Sequence, residues 1–293
     1  MTEQETATDH VAPNFLYIGA PRCASTYLDS ILRAHPKVYV PRNIKEVRYF
    51  DKRYDRGDAW YRSHFPTEPE ARDYAAIGEL TPTYLFEPEA PSRIAALGTV
   101  RRFLVGFRNP VDRLLSQYAF LKGYPGIKGY PGKGTTLDGF IDRSPLGVPL
   151  SLYSEGLARF ADQFGAESLL VLIYERMFKD PAETARRVAT HLGVDPDGFA
   201  ADALHRRVNQ AKALRFERLY RTARWAGQSL YKTGLFPTKV VSYRLNLRRF
   251  FTTQSTDAVA LAPEQRTRLI EMFEPDIAAV ERFIGSDLPE WRR

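Results

Sequence analysis

The segment Asn14–Leu32 reads NFLYIGAPRCASTYLDSIL and leaves little choice of local structure. Phe15, Leu16, Tyr17 and Ile18 form a short apolar run of residues that suit a buried strand. Gly19, Ala20 and Pro21 end it and turn the chain. From Ser25 onward, Tyr27, Leu28, Ile31 and Leu32 recur at helical spacing, with Ser25 and Thr26 available as caps. A strand, a turn of small residues carrying a cation, and a helix opened by hydroxyls make an anion cradle. Backbone N–H groups and the positive end of the helix dipole converge on such a turn. Arg22 adds a fixed charge and a fork of donors suited to phosphate-like oxygens. The turn is not the triphosphate loop G-x-x-x-x-G-K-[ST]. Counted from Gly19, that pattern needs Gly and Lys where this chain has Ala24 and Ser25. The sequence also shows no acidic pair beside the turn to hold magnesium.

Composition sets the outer bounds. With 293 residues, 44% of them hydrophobic and 13% aromatic, the chain can bury a substantial α/β core. Its single cysteine, Cys23, excludes an intrachain disulfide and fits a reducing compartment. That thiol has two readings: one with a pKa lowered by the cradle, or a small structural residue, which is preferred. The first twelve residues are polar and acidic without an apolar leader core, and no run is long enough to span a bilayer. A cytoplasmic location is therefore expected, with residues 1–12 as a disordered tail. A formal net charge of +7 invites an anionic ligand or surface.

A second signal lies at Arg102–Tyr118, RFLVGFRNPVDRLLSQY. Residues 103–107 read as a buried strand, Asn109-Pro110 as a turn, and Pro110 as the first turn of a helix. Arg108 at the strand end and Ser116 in the helix can converge on one phosphate.

The two strings together resemble the PAPS-dependent sulfotransferases, which use 3′-phosphoadenosine 5′-phosphosulfate (PAPS). In that family the 5′-phosphosulfate loop reads G-x-x-[KR]-[SAG]-G-T-[ST]-x-L and the 3′-phosphate motif R-[ND]-P-x-[DE]-R-x-x-S-x-Y. This chain departs from the loop at Cys23, Ala24 and Ser25, and has Arg22 where Lys is commoner. The resemblance is strongest to the branch that modifies heparan sulfate and related carbohydrates, and to its bacterial members. It implies a single α/β domain over 13–293 with a central parallel β-sheet flanked by helices, the P-loop-NTPase-like sulfotransferase fold. It also implies that Pro21, Arg22, Cys23, Ala24, Ser25, Thr26 and Tyr27 hold the donor's 5′ end. Arg108 and Ser116 would take its 3′-phosphate, and Tyr174, in a Y-E-R-M-x-x-D-P passage, would approach the adenine.

Further passages extend the resemblance. Lys45-Glu46-Val47-Arg48-Tyr49-Phe50 is similar to the family's K-E-x-x-[FY]-F core, which makes Glu46 the expected general base, working with Arg22. The segment Gly78-Glu79-Leu80-Thr81-Pro82-Thr83-Tyr84 resembles a passage beside donor and acceptor. Arg48, Glu79 and Thr81 thus join Glu46 as candidate acceptor contacts, with Glu79 a second candidate base. Some relatives carry His at the position of Arg48, so that neighbour's role does not transfer. The Trp60–Pro66 segment reads as packing.

Two stretches are organised differently. Residues 122–135 hold a doubled G-Y-P-G and read as an extended loop, either an acceptor-contacting lid or a tolerated insertion. Residues 205–250 concentrate basic side chains against Glu217 alone. Leu214, Leu219, Ala223, Ala226 and Leu230 trace a helical face there, so a basic amphipathic helix and loop are expected. In relatives this region covers the nucleotide; a solvated basic face is the plain reading here, and a patch for a membrane surface or an anionic acceptor the alternative.

The expected reaction is transfer of a sulfuryl group from PAPS, leaving 3′-phosphoadenosine 5′-phosphate (PAP), to a saccharide, glycolipid or metabolite hydroxyl, or an amine. No metal and no nucleic-acid partner are expected. Two other classes compete. A nucleotide kinase shares the strand–turn–helix but lacks its Gly-Lys here. A non-catalytic anion-binding module would explain the charge but not the two phosphate motifs.

Overall fold

Five short strands run parallel in the order β2-β3-β1-β4-β5. They are β1 (Phe15–Gly19), β2 (Val38–Tyr39), β3 (Ala76–Leu80), β4 (Arg102–Phe107) and β5 (Leu169–Ile173). A computed structural model provides these coordinates and describes residues 9–122, 136–204, 212–214, 252–254 and 261–293. β1 pairs with β3 on one side (Tyr17 opposite Leu80) and with β4 on the other (Gly19 opposite Val105).

The strands are buried on both faces, and side chains alternate between two cores as the pleat requires. Leu16, Ile18, Phe103, Val105, Phe107, Val171 and Ile173 face one core. Phe15, Tyr17, Leu104 and Leu172 face the other. The second core is covered by α1 (Ser25–Ala34), through Leu28, Ile31 and Leu32, and by the helix Pro181–Leu192, through Val188 and Leu192. The first is covered by α2 (Ala90–Leu97), α3 (Pro110–Lys122), α4 (Ser154–Phe164) and, after that second-core helix (α5), by α6 (Pro263–Ile284). This is the single α/β domain with a central parallel sheet and helices on both faces.

Several elements differ from expectation for identifiable reasons. β3 was read only as a motif, because Gly78 and Glu79 break its apolar run. Both residues are nevertheless buried in the sheet. α4 begins at Ser154, where Asp276 of α6 accepts hydrogen bonds from the Tyr153 and Ser154 amides and fixes its start. Residues 9–12 are not a free tail. Asp9 and His10 pair with the Thr67–Glu68 segment, and the Val11 amide donates to Pro66 O at 3.0 Å. Leu214, expected on a helical face, lies in β6 (Lys212–Leu214), antiparallel to β7 (Thr252–Gln254). Residues 1–8, residues 123–135, expected as an extended loop, and the rest of the basic 205–250 region lie outside the described residues. No helix among the described residues is long and apolar enough to cross a membrane.

Because all five strands are parallel, their C-terminal ends share one edge. β1 and β4 are neighbours whose connections depart in opposite directions, so a crevice opens between the turns that follow them.

Candidate active site

The turn after β1 is held by its own backbone. The Ala20 amide donates to Gly106 O of β4 at 2.7 Å, and the Tyr17 hydroxyl donates to Ala20 O and Cys23 O from below. Arg22 and Ala24 both take the left-handed conformation, at φ 69° and 68°. The preference for glycine at position 24 thus comes from backbone geometry more than from room for the ligand. Ala24 is also the N-cap of α1. Ser25 and Thr26 do not cap the helix; they are its first residues, half-buried, with the amides of the first turn left for another acceptor.

Cys23 is fully buried, and desolvation pushes its thiol up to about 12. The cradle does not activate it, and the structural reading holds. Tyr27 is also buried. Its hydroxyl donates to Leu204 O at 3.2 Å and its ring lies 4.9 Å from Phe178, so its side chain packs rather than facing the turn. Pro21 is half-buried, and its carbonyl lies 3.6 Å from Cys23 Sγ.

The turn after β4 supplies the partner charge. Arg22 Nε donates to Ser116 Oγ of α3 at 3.1 Å, and the Arg22 guanidinium lies 4.7 Å from the Phe120 ring centroid. Burial, then the neighbouring Arg108, lower the pKa of Arg22. The Arg108 guanidinium stacks over Tyr174 at 4.5 Å, and its buried Nε has no hydrogen-bond partner. Arg113, fully buried beneath, donates to Leu146 O and Gly147 O while its Nε and Nη1 have none. None of the three arginines pairs with a carboxylate among the described residues. Arg22 donates to Ser116 and cannot accept, so Ser116 must use its own proton elsewhere. Three uncompensated guanidiniums and a hydroxyl free to donate describe a pocket built for an anion.

Tyr174 opens the short helix Tyr174–Met177 after β5. Its ring touches Phe178 edge-on at 4.8 Å, and Phe178 is an exposed aromatic that sequence reading did not single out.

The segment after β2 brings a carboxylate to the same edge. Glu46 is half-buried and makes no hydrogen bond or ion pair among the described residues. Burial raises its pKa above the ordinary value, against the opposing pull of Lys45 and Arg48. Its charge also disfavours ionisation of Tyr17, the residue beneath the turn. Arg48, in the left-handed conformation at φ 59°, is tied to Asp51 at 2.7 Å. Lys45 Nζ donates to Thr26 Oγ1 at 2.6 Å, a link between segments that sequence reading missed.

Glu79 and Thr81 are placed differently from expectation. Both are fully buried. Glu79 accepts from the Tyr84 hydroxyl at 2.6 Å, from Thr81 Oγ1 at 2.7 Å and from the Val47 amide. Thr81 Oγ1 in turn accepts from the Arg48 amide at 3.1 Å, and the Tyr84 hydroxyl from the Tyr49 amide at 2.9 Å. Three consecutive amides after Glu46 are therefore clamped by one buried cluster. Glu79 is a positioning residue for that segment, with no free face for an acceptor. Despite its three donors, desolvation raises its carboxyl to about 7.

Comparison with known proteins agrees with this architecture. The sulfotransferase domain profile matches residues 12–232. Human heparan sulfate glucosamine 3-O-sulfotransferase 3B1 is 32% identical over 186 residues, 62% of this chain and 46% of that protein. The chain thus spans about half the length of the curated relatives it matches. The membrane-associated sulfotransferase kil1 of Dictyostelium discoideum is 35% identical over 108 residues, 37% of this chain and 23% of that protein. Among solved structures, a sulfotransferase from Alicyclobacillus acidocaldarius superposes with a TM-score of 0.65 at 23% identity, covering 97% of this chain and all of that one. With the profile spanning three-quarters of its length and the fold shared end to end, this chain belongs to the sulfotransferase domain family.

Proposed function

We propose that the protein transfers a sulfuryl group from PAPS to a saccharide hydroxyl, releasing PAP. One observation carries the donor reading: Arg22 and Arg108 lie together at the β1–β4 crevice, neither paired with a carboxylate among the described residues, beside a hydroxyl free to donate. Such a pocket suits a ligand with phosphates at both ends. The Arg108 side binds the 3′-phosphate. The turn amides, Ser25 and Thr26 hold the 5′ end, where the first turn of α1 adds its dipole.

Glu46 takes the acceptor's proton as its oxygen attacks sulfur. A carboxylate without donors, half-buried and with a raised pKa is poised for that step. Arg22 and the hydroxyls stabilise charge that accumulates on the departing phosphate. Arg48 lies closest in sequence to the acceptor side, and Glu79 and Thr81 act by holding it and Val47 in place. The saccharide acceptor is supported by the similarity to the heparan sulfate enzyme.

Titration calorimetry with PAP, with adenosine 5′-phosphate and with ATP plus magnesium tests the donor reading. PAP is expected to bind at least tenfold more tightly than adenosine 5′-phosphate, and Arg108→Ala to erase most of that difference, as loss of about 1.5–3 kcal/mol from a charged hydrogen bond would do. Preference for ATP with magnesium would overturn the reading. With donor binding in hand, Glu46→Gln is expected to keep PAP affinity and lose at least a hundredfold in turnover on heparan sulfate oligosaccharides. Turnover near the wild-type rate would remove Glu46 as the base.

A further inference from the structure

Resting on the donor reading above, we propose that Lys45 is a second cation, beside Arg22, that receives the negative charge of the departing 5′-phosphate. Arg22, in the turn itself, holds one side of the pocket. Its Nε is bonded to Ser116 on α3 and its plane covers Phe120, so it serves the β4 side of the crevice. At the opposite lip, where the amides of the α1 first turn are uncapped, Ser25 and Thr26 are neutral. Lys45 reaches this lip from the segment after β2, with Nζ 2.6 Å from Thr26 Oγ1.

The hydrogen-bond directions make the case sharper. An ammonium only donates, so Thr26 Oγ1 is the acceptor and its single proton is free to point into the turn. Lys45 spends one donor on Thr26 and makes no ion pair among the described residues. Glu46 and Asp29 act on it only through space, and Arg22 and Arg33 add positive field. The half-buried stem keeps the ammonium from wandering. Lysine suits this place better than arginine, because a compact point charge can follow one oxygen as its bond to sulfur lengthens.

The step balances without any further reactant. The acceptor's O–H bond breaks and its proton passes to Glu46. A new O–S bond forms as the bond from sulfur to the 5′-phosphate oxygen breaks. The electron pair stays on that phosphate oxygen, where the Lys45 ammonium donates a hydrogen bond and keeps its proton. Consecutive residues thus serve the attacking and leaving ends of one displacement.

The test needs no acceptor. Binding of PAP and of adenosine 3′-phosphate, which lacks only the 5′ group, is measured by calorimetry on the wild type, Lys45→Ala, Lys45→Met and Lys45→Arg. Loss of a charged hydrogen bond to the 5′-phosphate predicts about a tenfold to hundredfold weaker PAP complex for the Ala and Met variants. Adenosine 3′-phosphate should change less than about twofold, and Lys45→Arg should recover much of the PAP affinity. Equal losses for both nucleotides, or none for PAP, would overturn the assignment. Lys45→Met retains the apolar stem, so a packing defect in Lys45→Ala would show as a difference between the two. Failure of the donor reading looks different: the wild type then binds PAP no more tightly than adenosine 5′-phosphate, and the inference about Lys45 falls with it.

Discussion

Glu46 and Glu79 are carboxylates that burial drives the same way, yet their surroundings give them opposite work. Glu46 has no donors to hold it among the described residues. Glu79 is saturated by Tyr84, Thr81 and Val47, and desolvation still wins by raising its carboxyl to about 7 against an ordinary 4.5. Between those values the folded state holds a proton that the unfolded chain has released. The favourable contribution of Glu79 is therefore complete below about pH 4.5 and is lost as pH rises through about 7. At about 1.4 kcal/mol per unit, the change is on the order of 3 kcal/mol. Urea unfolding at pH 5 and pH 8 should show the wild type losing stability relative to Glu79→Gln, which cannot ionise. Parallel pH dependence in the two proteins would mean that Glu79 stays charged throughout.

The elements carry the same economy of space. The turn after β1 folds back over β4, and Gly106 is where it touches. A Cβ there would lie 2.7 Å from Cys23 O and 2.8 Å from the Tyr17 hydroxyl. The carbonyl is backbone and cannot swing aside, so Gly106→Ala must push the turn outward. We expect a stability loss of about 1–3 kcal/mol, as for other overpacked sites, with weaker PAP binding measured well below the melting temperature. Unchanged PAP affinity would show that the turn adapts. Gly106 also illustrates what the sequence made legible. The pairs β1–α1 and β4–α3 were readable because each is written in consecutive residues as a short apolar run, a turn, then a helix start. The place of the turn after β1 followed from the same string. β3 was hidden because Gly78 is demanded by a close approach, with its Cβ position 2.3 Å from Phe15 O, and Glu79 is tolerated through hydrogen bonds from Thr81, Tyr84 and Val47 that no apolar pattern announces. The links Lys45–Thr26 and Arg22–Ser116 depend on packing of separate segments, the second across 94 positions, and no local pattern encodes them.

At the scale of the molecule, residues far along the chain fasten the site from behind. Trp291 is fully buried, and its Nε1 donates to Glu175 Oε2 at 3.1 Å. Its carbonyl accepts from Asn109 Nδ2 at 3.0 Å, and Glu175 Oε1 accepts from the Asn109 amide at 3.0 Å. The ends of β4 and β5 are thereby bolted together directly behind Arg108 and Tyr174. Arg176 extends the clasp to Glu290, and Arg292 ties the same segment to Glu274 and Glu281 of α6. Removing the indole empties a core site and strands Glu175, so Trp291→Ala should cost about 3–5 kcal/mol of unfolding free energy. Stability alone is not the claim. Val188→Ala, in α5 on the opposite face of the sheet, removes only packing and serves as the control. In calorimetry at a temperature where both variants are fully folded, Trp291→Ala should bind PAP more weakly than the wild type, because Glu175, no longer held by the indole, fixes the Asn109 amide beside Arg108 less firmly. Val188→Ala should bind it normally. Equal PAP affinity in the two variants would mean that the clasp stabilises the fold without setting the position of Arg108.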